Sequence, residues 1–82
     1  MALFFISYDL MTPGKDYQKL FSKLESLGGQ RVLLSLWAMR GNYTATDLRD
    51  TLKSYIDSKD LLLVDESSTW ASFRALVDLN KI

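Results

Sequence analysis

Histidine and cysteine are both missing from this 82-residue chain, and proline occurs once. Without imidazole or thiol there is no Ser-His or Cys-His nucleophile pair and no imidazole acid-base catalysis. The usual zinc sites are excluded on the same ground, and no disulfide can staple the fold. Any chemistry must rest on carboxylates, Tyr, Ser, Lys or Arg, with an oxygen-bound cation such as Mg2+ as the natural helper. An excess of one charge is missing too, since ten basic residues balance ten acidic ones. A duplex-DNA binder normally carries surplus positive charge, because phosphate neutralisation supplies much of its affinity. Only a local basic patch is left as an electrostatic route to nucleic acid. Long hydrophobic runs are absent as well. The opening MALFFIS is too short to cross a bilayer, has no basic leader and is interrupted by Asp9. The expectation is a cytoplasmic protein with no membrane contact.

What is present describes one small domain over residues 1–82. A hydrophobic content of 48% against 24% charged residues fits a folded chain. At this length a single core is only marginally stable, and sharing core between copies is the remaining way to enlarge it. Residues 2–9 alternate as a strand, with Ala2, Phe4, Ile6 and Tyr8 on one face and Leu3, Phe5, Ser7 and Asp9 on the other. Pro13-Gly14 marks a turn. From Asp16 to Leu27 the period becomes helical, and Gly28-Gly29 stops the helix. The lysines at 15, 19 and 23 repeat along its solvent side.

The run QRVLLSLWAMR at 30–40 is long for one strand, so a kink or bulge near Ser35 is expected to split it. Straight alternation through it would put Leu33, Ser35, Trp37 and Met39 on one face with Arg31. Thr44 and Asp47 then form a capping pattern ahead of a second helix, Ala45 to Asp57. LLLVDE at 61–66 reads as the last buried strand, and the tail, 67–82, fits a short helix or an alternating strand equally well.

This order predicts an α+β fold, a ferredoxin-like βαββαβ sandwich with two helices on one face of an antiparallel sheet and a C-terminal tail. Two helices cover one face only, and straight alternation leaves Leu3, Phe5, Leu33, Trp37 and Met39 on the other. A second copy is the simplest cover, so the expectation is a symmetric homodimer built on that face, with the tail packing on the partner protomer.

The residues that carry a family resemblance are Tyr8-Asp9 at the end of FFISYDL, the helix ending at glycine, Arg31, and Ser35-Leu36-Trp37 within RVLLSLW. Over residues 3–66 the chain resembles the small CRISPR-associated proteins of the spacer-acquisition complex (CRISPR-associated protein two) and their VapD-type relatives. The resemblance implies a dimeric ferredoxin-like protein whose Asp9 lies near the dimer axis. There it would hold a divalent metal, Mg2+, for cleavage of RNA or DNA, with Tyr8, Arg31, Ser35 and Trp37 at a neighbouring or nucleic-acid-contacting site. An integrase-like protein would then be the partner. The chain departs from the family pattern in carrying only lysines after the first strand, Leu33 where the family has Gln, and Ala38 where it often has an acid.

Two readings remain open from the residues themselves. One carboxylate is a poor Mg2+ site, but two copies of Asp9, helped by Ser7 and Ser35, would make a pair. Alternatively Asp9 accepts backbone hydrogen bonds in the turn that follows, and the protein is a non-catalytic binding module, such as a toxin-neutralising protein or an assembly subunit. Trp37 and Trp70 would stack on bases or pack in a core. Arg31, Arg40 and Arg74 would contact phosphate or pair with Asp65, Glu66 or Asp78.

Overall fold

Strand β1 (Ala2–Asp9) is the organising element, because both of its faces are apolar and both become covered. In the computed structural model, which describes residues 1–82 except 13 and 15, it is followed by α1 (Gln18–Ser26), β2 (Gln30–Leu33), β3 (Leu36–Gly41), α2 (Ala45–Leu52) and β4 (Leu61–Ser67). The sheet order is β2-β3-β1-β4, with every neighbouring pair antiparallel. This is the expected ferredoxin-like α+β sandwich. The turn expected at Pro13 and the first lysine of the row, Lys15, lie outside the described residues.

Local chemistry explains the element ends. Helix α1 closes in a Schellman motif, in which the Gly29 N–H bonds the Leu24 carbonyl at 2.9 Å and the Gly28 N–H bonds that of Glu25 at 3.0 Å. Gly28 takes φ +85°, and a Cβ on Gly29 would sit 2.8 Å from the Leu24 oxygen, so neither position accepts a side chain without strain. Helix α2 starts where the capping pattern places it, with Thr44 Oγ1 accepting the Asp47 N–H at 3.0 Å. It stops at Leu52, five residues short of expectation, and continues as a 3-10 turn over Lys53–Tyr55.

The helix side of the sheet holds the main core: Phe4, Ile6 and Tyr8 from β1, Leu20 and Leu24 from α1, Leu48 and Leu52 from α2, and Trp37 and Met39 from β3. The opposite face carries a second core of Leu3, Val32, Ala38 and Leu79, with Phe5, Leu36, Trp70, Ala75, Val77 and Ile82 packed around it. The chain's own tail supplies that cover. It is neither helix nor strand over most of its length, and ends in a 3-10 turn over Leu79–Lys81. Three contacts pin it: the Leu76 N–H to the Val32 carbonyl at 2.8 Å, Arg40 Nε to the Ile82 main-chain oxygen at 2.6 Å, and the Arg40 guanidinium 5.9 Å from the Trp70 ring centroid.

The expected open face therefore needs correction. Trp37 and Met39 lie under the helices, Leu3 is buried by the tail and Phe5 half-buried by it, and Leu33 stands at the surface. Alternation rightly keeps Arg31, Trp37 and Met39 together, but β3 pairs with β1 so that Trp37 lies opposite Ile6 and Met39 opposite Phe4, which puts that set under the helices and not beside Leu3 and Phe5. Leu33 leaves the set because β2 carries a bulge. Arg31 pairs with Trp37 but Leu33 pairs with Leu36, so two steps on β2 match one on β3 and Val32 is the extra residue. Val32 and Leu33 then share the tail side, while Arg31, Trp37 and Met39 go to the helix side.

Leu79 is the buried anchor of the tail, at 4% exposure. Leu79→Ala is expected to destabilise the fold by about 2–3 kcal/mol, as deletion of a packed leucine does. Urea denaturation checks this, and a loss below about 0.5 kcal/mol would mean that the tail does not pack on the sheet.

Candidate functional site

Three of the residues singled out in the sequence meet at the end of β1. Tyr8 turns its side chain to the helix side, where its hydroxyl accepts the Trp37 indole N–H at 3.0 Å and Arg31 Nη2 at 3.5 Å. The same hydroxyl donates to the Leu34 main-chain oxygen at 3.4 Å, tying the β2–β3 hairpin to β1. The Tyr8 N–H adds a bond to the Ser35 carbonyl at 3.2 Å. Ser35 thus takes part through its backbone.

Phe21, from α1, completes the cluster. Its ring lies nearly parallel to Trp37, with centroids 6.2 Å apart and 16° between planes, and 6.1 Å from Tyr8. The Arg31 guanidinium sits 4.5 Å from the Phe21 centroid and 5.0 Å from that of Trp37. Such cation–π contacts are worth about 0.5–2 kcal/mol, more as water is excluded. Arg31 is half-buried, its Nε is buried with no hydrogen-bond partner, and among the described residues no carboxylate pairs with it. A shallow cleft of about 340 Å³ opens beside it, lined by Gln18, Phe21, Glu25, Arg31 and Trp37.

A guanidinium set against aromatic rings and without an acid partner among the described residues has only its outer N–H groups, beyond the buried Nε, to offer an oxyanion such as carboxylate or phosphate. Arginine-to-acid pairing is the alternative expected for Arg31, Arg40 and Arg74, and the described residues contain no such pair. Arg40 bonds the Ile82 oxygen and Arg74 lies 4.7 Å from the Phe73 ring centroid. Their partners are aromatic and main-chain groups.

Asp9 stands apart from this cluster. Its side chain belongs to the opposite face, it is exposed, and among the described residues it forms no hydrogen bond or ion pair. It borders a shallow hollow with Ser7, Leu61 and Leu63. Among the described residues no three acidic side chains gather to hold a metal. One protomer offers Mg2+ a single carboxylate here, fewer oxygens than the ion takes, so these residues alone do not fit it.

The turn after β1 is capped by a different aspartate. Asp60 Oδ1 accepts the Met11 N–H at 2.7 Å and the Tyr17 hydroxyl at 2.8 Å, and Oδ2 accepts the Asp57 N–H at 2.7 Å. Asp57 Oδ2 accepts the Thr12 hydroxyl at 2.8 Å. Together they clamp the β1–α1 connection to the α2–β4 connection. The sequence signal is DSKD, two aspartates closing a four-residue turn, which reads as a polar surface turn until one of them is found buried. No family model matches the chain.

Asp60→Ala is expected to cost about 2–4 kcal/mol, because it removes the carboxylate that accepts from two main-chain N–H groups and a phenol. Asp9→Ala should stay within about 0.5 kcal/mol. Equal losses in denaturant melts would overturn the assignment of the cap. The Tyr17 phenol is held above its ordinary pKa of 10.0, by burial first and then by its bond to Asp60. The folded state thus favours the neutral phenol, and this contribution is complete below pH 10.0 and is lost as pH rises through the folded value. The stability gap between wild type and Tyr17→Phe should be flat below that pH and shrink above it.

Proposed function

We propose that the protein is a small dimeric binding subunit on the scaffold of the adaptation and VapD-type proteins, contacting the phosphates of a single-stranded nucleic acid through Arg31. The observation that carries this reading is the Arg31 guanidinium, laid on Phe21 and Trp37, bonded to Tyr8 and lacking an acid partner among the described residues. With no net charge on the chain, affinity must come from such a local contact. Trp37 is buried and hydrogen-bonded, so it supports the arginine instead of stacking on a base.

A second reading has its own observation. Asp9 is an exposed carboxylate with no partner among the described residues, free to ligate Mg2+ if another copy brings its own Asp9 close enough. The protein would then be a metal-dependent nuclease. Leu61 and Leu63, exposed beside Asp9, equally suit a protein partner such as an integrase-like subunit or a toxin.

Fluorescence anisotropy with labelled single-stranded RNA and DNA separates these readings. Arg31→Gln is expected to weaken binding about tenfold and to lower the salt slope by about one phosphate contact, with Arg31→Lys intermediate. Binding by Arg31→Gln equal to wild type would overturn the phosphate contact. In the same samples with Mg2+, no cleavage is expected from wild type or Asp9→Ala. Cleavage by wild type that Asp9→Ala abolishes would establish the nuclease reading instead.

A further inference from the structure

The cleft beside Arg31 also contains an acid. Gln18, Phe21 and Glu25 stand at i, i+3 and i+7 on α1, so they form one row along the helix and face Arg31 and Trp37 across the cleft. Phe21 is the ring against which the guanidinium rests, and Glu25 lies one turn beyond it, about 6 Å along the helix axis. Glu25 is exposed, and among the described residues its carboxylate forms no hydrogen bond or ion pair, with Arg31 or with any other group.

Stability does not account for a carboxylate at this position. Glu25 lies in the last turn of α1, at the negative end of the helix dipole, where an acid is disfavoured. The neighbours three and four residues away, Phe21, Ser22, Gly28 and Gly29, offer it no cation. Lys23 is in the same turn but two residues off, and so faces elsewhere.

A ligand in this cleft therefore meets a cation and an anion one helical turn apart. It must bring an oxyanion to Arg31 and hydrogen-bond donors to Glu25, because a second anion beside Glu25 is repelled. In a nucleic acid strand the phosphate supplies the first and a base edge the second. Guanine sets its N1–H and N2 amino group side by side, matching the two oxygens of one carboxylate. Adenine and cytosine set their amino group beside a ring-nitrogen acceptor, and uracil sets its N3–H between two carbonyls, so each turns an acceptor toward the acid. We infer that Glu25 selects guanine next to the phosphate held by Arg31. The inference rests on the proposed single-stranded ligand and names its preferred base, whose pairing edge is free only when the strand is unpaired.

Short labelled oligouridylates carrying one central guanine, adenine or cytosine, titrated by fluorescence anisotropy, test this. Wild type is expected to bind the guanine strand about tenfold more tightly than the other two. Glu25→Gln keeps the shape but replaces one acceptor by a donor, and should bind all three strands alike. Arg31→Gln should weaken all three while still favouring guanine. Wild-type binding that ignores the central base would overturn the inference and leave the phosphate contact standing, whereas no binding of any strand would overturn both. An equal gain by Glu25→Gln on all three strands would show that Glu25 only competes with the ligand for Arg31, and would overturn the inference as well. Thermal melts on the same samples separate folding from recognition, since removing an acid from the end of α1 should leave Glu25→Gln at least as stable as wild type.

Discussion

The extra residue at Val32 decides what the rest of the molecule can be. Because two positions on β2 match one on β3, Arg31 keeps to the helix side with Trp37 while Val32 and Leu33 turn to the other face. Shift that pairing by one, and Arg31 would leave the aromatic rings and the tail would lose Val32 as a floor. One bulge therefore divides the β2 half of the run between the cationic site and the tail-side core. The two-residue reversal at Leu34-Ser35 works with it, and the Tyr8 hydroxyl fixes the result by bonding Leu34, Arg31 and Trp37 at once.

The sheet is thus buried on both faces by a chain of marginal length. The helices cover one side, and the tail covers most of the other without regular structure, through Leu79, Trp70 and the Arg40 contacts. A chain this small has little buried apolar area to spare, and the tail raises it without a third helix. The cover stops short of the end of the sheet where β1 finishes and β4 begins. There Ser7, Asp9, Leu61 and Leu63 line a shallow hollow, and there the clamp of Asp60, Tyr17 and Thr12 holds the connecting loops. The Asp60 clamp and the bare strand end are at the same end of the molecule.

Much of this is legible in the residues, for identifiable reasons. The faces of β1, the glycine stop of α1, the Thr44 cap and the position of the last strand each depend on local pattern, and each stands where the pattern puts it, but that strand is an edge with Leu61 and Leu63 exposed and not the buried strand expected. The split near Ser35 is legible too, but its effect on parity is not. A bulge of one residue leaves no mark in hydrophobic alternation when both faces are apolar. The tail resists reading because it packs through scattered anchors, with Arg74 at φ +58°, and so has no period. In the site, Tyr8, Arg31 and Trp37 stand out in the sequence and do meet, while Phe21 reads there only as core. Asp60 escapes notice because burial, which makes an aspartate a structural acceptor, is a property of the fold and not of the tetrapeptide DSKD.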